Sequence, residues 1–129
     1  MVSVNWQFQA AVPSGPSVVI NQPHIQVSGY DVVSVTVPAA ASNLAVPVQP
    51  STTAGDVILM IISSNRYDPG ITYTVDGVGV PHALDAPHLL MGSGAVSLLN
   101  AGAPPQNLNF SNTLTSDVSV QILAGRKIP

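Results

Sequence analysis

GDVILMIISSNRYDPGITYTVDG, residues 55–77, is the stretch whose reading decides the fold. Val57 to Ile62 is an unbroken apolar run, rich in β-branched residues and too short for a typical helix. Ser63-Ser64-Asn65 and Asp68-Pro69-Gly70 interrupt it with turn residues, and Ile71 to Val75 then resumes in strict alternation. This pattern predicts a hairpin. Its first strand is central and covered on both faces, while its second turns Ile71, Tyr73 and Val75 inward and Thr72 and Thr74 toward water. Asp76-Gly77 is a tight-turn pair, after which Val78-Gly79-Val80 begins a return strand.

Toward the N-terminus, Val2, Val4, Trp6, Phe8 and Ala10 alternate with Ser3, Asn5, Gln7 and Gln9, predicting a first strand with the single tryptophan on its apolar face. It ends at Pro13-Ser14-Gly15-Pro16, so residues 1–16 read as an N-terminal arm or an exchanged strand. Ser17 to Ile20 and His24 to Val27 form a strand region broken at Asn21-Gln22-Pro23. In Tyr30 to Val37, Val33, Val35 and Val37 face one way and Tyr30, Val32, Ser34 and Thr36 the other, with Pro38 closing the strand. Leu44 to Val48 is a short edge strand, marked by the prolines at 47 and 50.

Toward the C-terminus, His82 to Gly94 reads as a loop or as one helical turn capped by Asp85 and ended by Gly92. Ala95 to Leu99 and Leu108 to Phe110 read as strands, and Val118, Val120 and Ile122 line one face of a final core strand. The residues expected in the core are Trp6, Phe8, Val57, Leu59, Ile61, Val118, Val120 and Ile122. Eight or nine short strands without crossover helices predict one all-β domain over residues 1–129. Its architecture is an antiparallel β-sandwich, jelly-roll or immunoglobulin-like.

Composition bears on the surface. Charged residues make up 7% of the chain, where an ordinary soluble domain has about 25%. All six acidic residues are Asp, and there is one Lys, so the residues that fill exposed helix faces are nearly missing. With 46% hydrophobic residues and a mean hydropathy of +0.38, the exterior must be neutral and partly apolar, the kind of surface another chain covers. No cysteine is present, which excludes disulfides and thiolate metal sites. No apolar stretch reaches the roughly 18 residues that span a bilayer, and the N-terminus has no signal-peptide pattern.

Candidate chemistry is sparse. His82, Asp85 and His88 stand at three-residue steps, a ligand spacing only if a turn gathers them, with His24 as a distant third imidazole. No Gly-x-Ser-x-Gly elbow or carboxylate pair is present, so the expectation is no enzyme, no cofactor and no metal. Asn65, Arg66, Tyr67 and Asp68 group a cation, a phenol and a carboxylate at one loop, the candidate for binding a ligand or partner. A net charge of −3 argues against nucleic acid as partner.

A cysteine-free, Glu-free, charge-poor β chain resembles the small structural proteins of viruses, above all phage decoration or cement proteins and head-fibre bases. The ending Asn107-Leu108-Asn109-Phe110-Ser111-Asn112 through Val118-Ser119-Val120-Gln121-Ile122 is similar to the last two strands of many such sandwiches. The resemblance implies a virion protein, assembled in the host cytoplasm, whose partners are copies of itself, as in a trimer, and a larger protein shell. It implies neither nucleic acid nor membrane as a partner. The competing expectation is a lectin-like sandwich that binds carbohydrate through Arg66, Tyr67 and Tyr73.

Overall fold

Along the last strand, Val118, Val120, Ile122 and Ala124 are buried while Ser119 and Gln121 are exposed, the period-two signature of a strand with one face in a core. The computed structural model describes residues 2–20, 25–48, 57–99 and 105–127. Among them the strands are β1 (Val2–Val4), β2 (Phe8–Ala11), β3 (Ser17–Ile20), β4 (Ile25–Val27), β5 (Gly29–Val37) and β6 (Leu44–Pro47). There follow β7 (Val57–Ser64), β8 (Ile71–Val75), β9 (Val78–Ala83), β10 (His88–Met91), the helical turn α1 (Ser93–Val96), β11 (Asn107–Asn112) and β12 (Val118–Arg126). His24, the break at 21–23, Pro50 and the Gly55-Asp56 lead into β7 lie outside the described residues.

Eight strands make two antiparallel sheets, β10-β7-β12-β5 and β6-β11-β8-β9. Their pairings are nested: β5 with β12, β6 with β11, β7 with β10 and β8 with β9. The chain from β5 to β12 is thus one long antiparallel hairpin rolled up on itself, closed by β12 with β7 and β11 with β8. That is the jelly-roll arrangement, and it decides between the two sandwich topologies expected. The core between the sheets is filled by Val37, Met60, Ile62, Ile71, Tyr73, Leu108, Phe110, Val120 and Ile122, all 0–2% exposed. The strands β6 and β9 are edges, carrying Pro47 and Pro81, which blocks further pairing there.

Several expectations are corrected. The stretch 57–75 is not a hairpin: β7 and β8 lie in opposite sheets, and residues 65–70 cross between them. The apolar run of β7 needs a strand on each side and a cover on each face, so its sequence neighbour goes to the facing sheet. A true hairpin forms one turn later, at Asp76 (φ 54°) and Gly77 (φ 73°), with Val75 opposite Val78. The residues expected as a loop or helical turn include a strand, since His88 to Met91 pair with Leu59 to Ile62. Ala95 to Leu99 are not a strand either: β10 already forms the sheet edge, and the chain turns into α1 with Val96 reaching the core. The first strand breaks between Val4 and Phe8, because β1 pairs with β4 and β2 with β3. Trp6 is consequently half-buried, and Phe8 is 38% exposed instead of core. Ile61 is half-buried on the outer face, while Val57, Leu59, Val118, Val120 and Ile122 are buried as expected.

Candidate interaction surface

Residues opposite one another in a sheet share a face, so the register writes out the outer face of β10-β7-β12-β5 row by row. One row is Leu89, Ile61, Leu123 and Val32; the next is Met91, Leu59, Gly125 and Tyr30. Toward the other end the rows are Ser63, Gln121 and Ser34, then Ser119 and Thr36. The same strands therefore carry an apolar half and a polar half on a single face.

The N-terminal strands lie on the apolar half. Val27 of β4 is fully buried, and it is held so closely over β12 that a Cβ on Gly125 would stand 2.9 Å from Val27 Cγ1 and 3.2 Å from Leu59 Cβ. Beyond β4 the cover is incomplete. Trp6, Phe8 and Ile20 on one side and Ile61, Leu89 and Met91 on the other bound an open cleft of about 540 Å³. Trp6 Nε1 is buried there without an acceptor among the described residues. Every residue of β2 and β3 is exposed, including Val18, Val19 and Ile20 at 46–55%. Tyr30 and Val32, at 51% and 53%, leave the far end of the apolar rows open as well. Residues 1–30 contain no Asp, Glu, Lys or Arg.

The polar half forms a shallow cleft of about 360 Å³ lined by Ser34, Thr36, Ser63, Asn65, Ser119 and Gln121. The loop singled out from the sequence adjoins it, and its groups are engaged within the loop and with the neighbouring start of β12. Asn65 exchanges two hydrogen bonds with Ser119: its backbone N–H donates to the Ser119 carbonyl, and its Oδ1 accepts from the Ser119 N–H, both at 3.0 Å. Arg66 donates to Ser116 Oγ at 3.3 Å and stands 3.8 Å from the Asp68 carboxylate. Tyr67 Oη accepts from the Ser64 N–H, and Asp68 Oδ1 accepts from the Gly70 N–H at 2.8 Å.

His82 and His88 converge on Tyr73, and Asp85 does not join them. Tyr73 Oη and His88 Nδ1 share a 2.6 Å hydrogen bond across the sandwich, and the His82 ring lies 5.4 Å from that of Tyr73. Burial pushes the Tyr73 phenol above its ordinary value, so it stays protonated within this structural hydrogen bond. Asp85 is exposed, and no group of three or more potential metal ligands occurs among the described residues.

This two-sided outer face was only partly visible in the sequence. Alternation in β5 already separates Tyr30 and Val32 from the core, but the joining of rows from four strands required the register. The absence of charge over residues 1–30 was the readable signal. No protein-family model matches the chain, and no curated protein matches it either. Among the described residues, no helix is long and apolar enough to cross a membrane.

Proposed function

We propose that this chain is a non-enzymatic structural protein of virion-decoration or capsid-associated type, working as a symmetric homo-oligomer, such as a trimer, docked on a larger protein shell. The observation that carries the reading is the uncharged N-terminal region set on an apolar half-face whose rim stays open to water. Interfaces between subunits are depleted in Lys, Glu and Asp, and this surface has that bias in extreme form. The jelly roll itself does not choose, because capsid and lectin domains both use it. Light scattering on the purified full chain tests the reading. The expected result is a defined multiple of the 13.2 kDa chain mass, constant across working concentrations. A stable monomer overturns it.

The polar half-face favours a second reading, a lectin-like module. Hydroxyls and amides in register are the donors and acceptors that a neutral sugar uses, with Tyr67 beside them for stacking. That reading requires a monomer or oligomer whose saccharide binding is lost on Gln121→Ala.

A further inference from the structure

We propose that the hairpin β2–β3 is an assembly arm: its apolar face seats against the open apolar half-face of a second copy of this chain. The inference rests on the homo-oligomer reading above and names its contact. In the hairpin, Phe8 stands opposite Ile20 and Ala10 opposite Val18, so these four side chains share one face. At its base that face borders the cleft above Ile61, Leu89 and Met91; farther out, Val18 is 55% exposed. A two-stranded hairpin is marginal by itself in water, and this one pairs with no third strand among the described residues.

Five features point to a second copy as the occupant. The chain presents both an apolar projection and an apolar cleft, so each copy supplies what the other lacks. The open apolar side chains of arm and half-face, Phe8, Val18, Ile20, Tyr30, Val32 and Leu89, are each 38–55% exposed, and a contiguous apolar patch of this kind on a monomer marks a surface that another chain covers. Neither arm nor cleft carries a charge that would steer a charged partner or make two copies repel. The free edges of β2 and β3 carry neither Lys nor Glu, which leaves them open to pairing. An arriving strand also brings backbone carbonyls, the acceptor type that Trp6 Nε1 lacks.

The test compares the full chain with Val18→Asp and Thr36→Asp, reading mass by light scattering and fold by circular dichroism. Both positions are exposed, so the fold is expected to be unchanged. The proposal expects Val18→Asp to weaken association at least about tenfold while Thr36→Asp, on the polar half, assembles like the parent. Because the chain has no cysteine, a second measurement is available: copies carrying Val18→Cys mixed with copies carrying Leu89→Cys should be joined by a short bismaleimide. An assembled parent whose Val18→Asp variant is equally assembled, or that yields no mixed cross-link, overturns the arm and leaves the homo-oligomer reading standing. A monomeric parent overturns both.

Discussion

Gly125 is where one methyl group matters most. It sits in an apolar row with Leu59 on its own sheet and Val27 above, and a Cβ would approach both inside normal contact distance. Both neighbours are fully buried and have little room to give. Gly125→Ala is therefore expected to cost about 1–3 kcal/mol in urea denaturation and to loosen β4 from the sheet, read as faster proteolysis near the N-terminus. An unchanged midpoint would mean that β4 shifts freely. The need for glycine here could not be seen in the sequence, because Val27 and Gly125 are brought together only by the fold. At Asp76-Gly77 the reverse holds: the pair itself announces positive φ, and the structure has it.

At the scale of elements, the β8–β9 turn is also a clasp on β11. Asp76 Oδ1 accepts hydrogen bonds from the Gln106 N–H at 3.1 Å and the Asn107 N–H at 2.8 Å, while the Asp76 N–H donates to the Asn107 carbonyl at 2.9 Å. Asp76→Ala removes the acceptor and leaves a methyl-bearing residue in the left-handed region, with an expected loss of about 2 kcal/mol in thermal or urea unfolding. Asp76→Asn keeps an acceptor and tolerates that backbone, so it should lose less than about 1 kcal/mol. Equal losses would show that the side-chain acceptor contributes nothing. The strands themselves were largely legible: β5, β8 and β12 alternate as written in their residues, and β6 lies on an edge as its proline requires. His88 to Met91 was not legible, because a four-residue strand with three apolar residues, flanked by Pro87 and Gly92, has the local look of a turn, and only pairing with β7 makes it a strand.

For the whole molecule, the scarcity of charge has a consequence that can be measured. Its few cations are largely committed within the chain: Arg126 pairs with Asp31, and Arg66 stands beside Asp68. Association through the neutral surface should then change less than about threefold between roughly 0.1 and 1 M salt, whereas a charge-steered contact would weaken by an order of magnitude or more. Light scattering in the two buffers makes the comparison, and strong salt sensitivity would point to ion pairs across the contact. The amino-acid order alone determined that the chain is all-β, where most strands lie and which face of each is apolar, since period-two alternation and turn chemistry act over a few residues. Only the tertiary structure decided that β7 and β8 lie in opposite sheets instead of pairing, that the sandwich is a jelly roll, and that Trp6 and Phe8 lie at an open cleft. Strand partners are chosen by burial and hydrogen bonding between segments far apart in sequence, and no local pattern encodes which distant strand will supply them.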